Sequence, residues 1–305
     1  MTDTTITDTT ITDTIITDTI ITDTIITDTI ITDSTVSTTP LARSATVRTW
    51  QDGVAAIPNA LASEWTKLRS LRSNLLILCG TAAIGVVLVW VLAVFVKTDP
   101  DTLETFTVGN TFSFPTWLAT VLAVVTGTLM FTSEVQHGTL AVAITAQPAR
   151  WVTVVAKSAI AACFGLAMGV VGMLAGVSGG LLGGLDAGDT SGMPATAAWG
   201  LMLATVAAIF GLGIGMTIRH SSAAISMTLV WTFVLENLFR AFAPPTVSRF
   251  LPFSAANGLL DIQTTSDPEA LAVALTRMQD AFLFGGYTVA ALVIGTVLLY
   301  RRDTN

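Results

Sequence analysis

The chain has 305 residues, of which 52% are hydrophobic and only 11% charged, against about 25% charged in an ordinary soluble domain. A chain of that make-up does not fold as a water-soluble globule. The net charge of −7 says little about the body: seven of the 21 acids (Asp3, Asp8, Asp13, Asp18, Asp23, Asp28 and Asp33) lie in one N-terminal tract, and the 14 left match the 14 bases, so neither a basic partner nor nucleic acid is indicated.

Residues 2–31 are six pentads, TDTTI twice and TDTII four times. They have no basic region or cleavage site, which excludes a signal peptide. The recurring Asp breaks any apolar helical stripe, so residues 1–34 are expected to be a disordered tail and 35–57 a linker. Over residues 58–73 the pattern turns helical: Leu61, Trp65, Leu68 and Leu71 share one face, and Pro58 stands at the expected start. With Lys67, Arg69 and Arg72 this predicts an amphipathic helix in the headgroup plane.

A hydrocarbon core of about 30 Å needs roughly 20 apolar residues in a helix. Residues 75–302 supply six such stretches, at about 75–96, 115–133, 153–180, 194–217, 221–243 and 281–300, the fifth carrying Glu236 and Arg240. Runs of this length without period-two alternation exclude a barrel. The expected fold is an all-α integral membrane protein with six transmembrane helices. Arg43, Arg48, Lys67, Arg69, Arg72, Arg150, Lys157, Arg219, Arg301 and Arg302 then collect on one side, against Lys97, Arg240, Arg249 and Arg277 on the other, which places both termini in the cytoplasm. The acidic loop with Asp99, Asp101 and Glu104 falls outside, as does the Pro-rich stretch 244–280, whose apolar parts are expected to dip back toward the bilayer.

Chemistry is sparse. No phosphate-binding loop and no metal-ligand spacing occurs around His137 or His220, and Cys79 and Cys163, inside apolar runs, read as core thiols. No catalytic, cofactor or metal residue is expected in this chain. Gly165, Gly169, Gly172, Gly176 and Gly180 follow a small-residue stripe, with Gly211 and Gly215 in the next span; such stripes serve packing within one chain or a dimer face. Glu236 and Arg240, spaced i, i+4, read either as a snorkelling pair or as a cavity carboxylate facing a cationic substrate or a proton. The most informative segment is Thr132 to Trp151, where Ser133 is expected to cap a short helix, Glu134 to sit in its first turn, Gly138 to turn the chain and Pro148 to end the segment.

Two motifs resemble the permease subunits of type-2 ABC exporters, particularly their actinobacterial branch. ASEWTKLRSLRS (Ala62 to Ser73) is similar to the family's interface helix, and Glu134, His137, Gly138, Thr139 and Leu140 match its E-x-x-H-G-T-L loop, followed by Pro148, Arg150 and Lys157. Val135, where an aromatic is common, and Ala141, where a base is common, depart from the pattern. The resemblance implies a cell-membrane permease subunit of an exporter without ATPase activity of its own. It would pair with a second permease copy or relative and with separate ATP-binding cassette subunits that hold ATP and Mg, amid membrane lipid. Glu64, Lys67, Arg69, Glu134, His137, Gly138, Thr139, Leu140 and Arg150 would then dock the ATPase. A non-transporting sensor or scaffold docking a cytoplasmic partner, and a proton-coupled carrier using Glu236, are the alternatives.

Overall fold

The structure, a computed structural model, describes residues 50–70, 72–96, 106–140, 149–262 and 268–302. The chain divides into two units, Met1–Arg48 and Thr49–Asn305, and every described residue belongs to the second. The repeat tail, Arg43, Arg48, Lys97, Asp99, Asp101, Glu104, Ala141 and Pro148 lie outside the described residues.

The described residues are helical, without a strand. Helix α1 (Trp50–Ser70) leads into α2 (Arg72–Val96), the first of six helices among the described residues that are long and apolar enough to cross a membrane. The second span joins a short α3 (Val108–Thr111) to α4 (Phe114–Gln136); the third is α5 (Arg150–Gly183) and the fourth α6 (Met193–Ile218). The fifth runs from α7 (Ser221–Val230) through one π-helical turn, Trp231–Leu235, to α8 (Glu236–Phe242). Three short helices follow, α9 (Pro245–Ser248), α10 (Pro252–Leu259) and α11 (Pro268–Ala272), before the sixth span, α12 (Arg277–Arg302). The entry helix thus starts eight residues before its expected Pro58 start, and Pro58 lies within it.

Half or more of each hydrophobic span segment is buried in the second, third and fourth spans, and about a fifth in the others. Helix α6 packs on α4, α5 and α12, while α2 lies against α5 and α4. The glycine stripe permits this close approach. A methyl at Gly165 would overlap the backbone of α6, at Gly176 the Phe112 carbonyl, and at Gly211 the Val124 carbonyl. One at Gly172 would come within 2.9 Å of Thr116 Cα, at Gly169 within 3.0 Å of Ala204 Cβ, at Gly180 within 3.1 Å of Val108 Cγ2, and at Gly215 within 2.6 Å of the Thr128 carbonyl. The stripe is therefore filled by neighbours in the same chain. Cys79 and Cys163 are exposed, which corrects the reading as core thiols: in a bundle bathed by lipid, an apolar residue loses nothing by facing outward.

Helix ends follow local rules. Helix α5 closes with a Schellman turn: Gly184 adopts φ 70°, its N–H donates to Leu181 O at 2.9 Å, and Leu185 N–H donates to Gly180 O at 3.0 Å. At the opposite end of the bundle, α6 and α7 meet in a turn of two residues, with Arg219 at φ 59° and His220 Nδ1 accepting from Ala223 N–H.

Candidate functional site

A carboxylate or ammonium inside a helical membrane bundle is costly unless it is paired. Four such groups pair in a closed ring where α1, α4 and α5 meet. Lys67 Nζ lies 2.7 Å from Glu64 Oε1 and 2.9 Å from Glu134 Oε1, and Lys157 Nζ lies 2.6 Å from Glu134 Oε1 and 3.0 Å from Glu64 Oε2. The Lys157 side chain is 2% exposed, those of Glu134 and Glu64 12% and 14%, and that of Lys67 44%. The ring therefore has one fully buried corner and one corner open to solvent. Glu134 Oε2 is buried without a hydrogen-bond partner, and two cations on one oxygen offset that loss.

Burial by itself raises the Glu64 carboxyl, but the Lys157 and Lys67 ammonium groups outweigh it and hold Glu64 below its ordinary value of 4.5. For Lys67 burial works downward, and hydrogen bonds to Glu64 and Glu134 reverse it, leaving the ammonium above its ordinary 10.5. Glu64 and Lys67 are thus held in their charged forms.

The ring ties the C-terminal turn of α1 to the end of the second span and the start of the third. Gly53 extends the contact: a methyl there would come within 2.7 Å of the Trp151 ring of α5. Ser133 and Glu134 are in the last turn of α4, with Ser133 Oγ donating to Leu129 O at 2.6 Å. This corrects the expected short helix starting at Ser133. Helix α4 outlasts its apolar run by a turn because the polar groups there are partnered: Gln136 Oε1 accepts from Ser221 Oγ at 2.8 Å, and Glu134 joins the ring. His137 caps α4, its N–H donating to Ser133 O at 3.0 Å and its Nδ1 standing 2.7 Å from the same oxygen. Gly138 turns the chain at φ 69°, and helix resumes at Thr139 and Leu140.

Of the nine residues expected to dock a partner, Glu64, Lys67 and Glu134 are thus held within the chain. Leu140 is buried beside Phe131, Val154 and Leu299. Arg150 Nη1 donates to the carbonyls of Leu299 at 3.1 Å and Tyr300 at 3.4 Å, so it caps the end of α12. Arg69, His137, Gly138 and Thr139 are exposed. Lys157 completes the ring and was absent from that set. Its signal in the sequence is a lone ammonium eight residues into a span of 34 that holds no other charge after Arg150.

Glu236 and Arg240 stand one helical turn apart, near enough for the Arg240 charge to act on the carboxylate but without an ion-pair contact. Glu236 is fully buried, and its Oε2 accepts the N–H of Phe253 at 3.1 Å, fastening the first turn of α10 to the fifth span. The π-helical turn just before it shifts the helical register at this point. No ion pair joins Glu236 to Arg240 among the described residues, which corrects the snorkelling pair. The stretch after α8 does fold back: α10 is buried against α6 and α12.

Six apolar helices, with an entry helix ion-paired to the ends of two of them, define a polytopic helical membrane protein among the described residues. The chain belongs to the ABC-2 family of transporter proteins, whose profile matches residues 60–236, from within α1 to Glu236. It is accordingly a membrane component of an ABC-type transporter, and members of this family generally work with an ATP-binding subunit. No curated protein matches the chain.

Proposed function

We propose that this protein is the permease subunit of an exporter in the plasma membrane, with both termini cytoplasmic and ATP hydrolysis supplied by a separate ATP-binding subunit that holds the nucleotide and Mg. Two permease chains would pair in the working complex, and this chain would carry out no catalysis. The ion ring carries the reading. A partner pressing on α1 or on the exposed turn His137 to Thr139 pushes on groups ion-paired to the second and third spans, so its movement reaches the bundle without a flexible joint. ATP-driven closure of the partner would then bias the bundle between two packed arrangements.

The docking surface in this reading is the exposed turn and Arg69, while the ring transmits the movement. The test is co-expression with the ATP-binding subunit from the same gene neighbourhood, followed by co-purification in detergent. Wild type is expected to retain the ATPase, and His137→Glu with Thr139→Glu, which leaves the ring intact, is expected to lose it. Retention by the variant would remove the docking turn from the reading. Wild type that binds no ATP-binding subunit would overturn the reading itself.

A further inference from the structure

At the end of the bundle opposite the ion ring, the stretch after α8 and the start of α12 enclose a cleft of about 330 Å³ lined by Arg240, Arg249, Arg277, Ser254, Asp261 and Asp280. It adjoins a hollow of about 690 Å³ that shares Arg240, Pro245, Ser248 and Asn257 with it. The far wall of that hollow is Leu88 of α2 with Phe114 and Trp117 of α4. One end is thus cationic and the other apolar.

Not every guanidinium of the cleft is ion-paired. Arg277 Nη2 pairs with Asp261 Oδ2 at 2.8 Å. Arg249 donates from Nη1 to the Val273 carbonyl at 3.0 Å and lies over the Phe250 ring, 4.7 Å from its centroid, but meets no carboxylate. Arg240 has no ion-pair partner among the described residues. Arg240 and Arg249 thus make no ion pair in the cleft, and the carboxylates near them are Asp280 of the lining and Glu236, whose Oε2 is already bonded to the Phe253 N–H. Three N–H donors in these walls, Arg240 Nε, Arg249 Nε and Trp117 Nε1, are buried without an acceptor. Buried donors without acceptors cost free energy, and because two of the three belong to guanidiniums, an acceptor that carries negative charge suits them best.

We propose that this cleft binds the phosphate headgroup of an anionic amphiphile between Arg240 and Arg249, with its apolar chain running along Leu88, Phe114 and Trp117. Arginine suits phosphate because its planar fork offers paired donors. The inference does not rest on the export reading, since it needs no ATP-binding subunit.

The full chain in neutral detergent would be titrated with dihexanoyl phosphatidylglycerol, dihexanoyl phosphatidylcholine and inorganic phosphate, following bound lipid by native mass spectrometry and Tm by thermal shift. The anionic lipid is expected to half-saturate at a concentration about tenfold lower than the zwitterionic one. That preference should persist in Arg72→Gln, at the other end of the bundle, and vanish in Arg240→Gln with Arg249→Gln. If the double variant does not fold, Arg240→Gln alone serves, having no ion pair to lose. Equal binding of the two lipids, or a preference that survives in the cleft variant, would overturn the site. A Tm rise reproduced in full by inorganic phosphate would overturn the amphiphile and leave a plain anion site.

Discussion

At the scale of single residues, the ion ring makes an unequal prediction for its two lysines. Removing one partner of a buried pair leaves a carboxylate uncompensated in a medium of low polarity, a loss of about 3–5 kcal/mol. Lys157, 2% exposed with two carboxylates on its ammonium, is in that position. Lys67, 44% exposed, is partly screened by solvent, and an exposed pair is worth about 1 kcal/mol or less. Lys157→Met is therefore expected to lower Tm in detergent several-fold more than Lys67→Met; equal losses would refute the ring's buried corner. The same geometry sets the acid limb. The folded-state value of Glu64 lies below 4.5, so its contribution is complete above pH 4.5 and fades as pH falls through that lower value. Glu64→Gln should flatten this part of the stability profile. The ring was not legible in the sequence, because Lys67 and Glu134 lie 67 residues apart and Glu64 and Lys157 lie 93 apart, and only the meeting of α1 with α4 and α5 joins them. What could be read was the cost of Lys157 in a span.

At the scale of the helices, glycine separates positions that look alike. Gly211 and Gly286 both stand inside apolar spans. A methyl at Gly211 would run into the Val124 carbonyl of α4, whereas one at Gly286 meets nothing within 4 Å. Overpacking of a tight contact costs about 1–3 kcal/mol, while Ala in place of Gly in an open helical position gains up to about 1 kcal/mol. Gly211→Ala should lower Tm and Gly286→Ala leave it unchanged or raise it, as thermal melts of the two variants would show; a harmless Gly211→Ala would mean that α4 and α6 do not approach as closely as described. The helices themselves were legible because the bilayer thickness demands long apolar runs and this sequence has six. The loop after the second span was not, since Ser133, Glu134 and Gln136 are polar and Ser133 reads as a cap. Their partners, Ser221 and the ring lysines, come from other parts of the chain, and those partners keep α4 helical for its last turn.

At the scale of the molecule, one question decides whether the ring end is the one an ATP-binding subunit can reach. Six antiparallel spans put Lys67, Arg69, Arg72, Arg150, Lys157, Arg219 and Arg301 at the ring end, and Arg240, Arg249 and Arg277 at the cleft end. Short loops rich in Lys and Arg stay in the cytoplasm, and seven against three is the basis for proposing that the ring lies inside. Cysteine labelling in whole cells checks this directly. With Cys79 and Cys163 changed to Ala, a cysteine at Gly192, which is exposed and has open space around its Cα, should react with a membrane-impermeant maleimide. One at Thr139, exposed in the turn after α4, should react only once the membrane is opened. The reverse pattern would put the docking turn and the ring out of reach of any nucleotide-hydrolysing partner, and the phosphate cleft in the cytoplasm. The family assignment would stand, but α1 could no longer receive the push that the proposed function routes through its ion pairs.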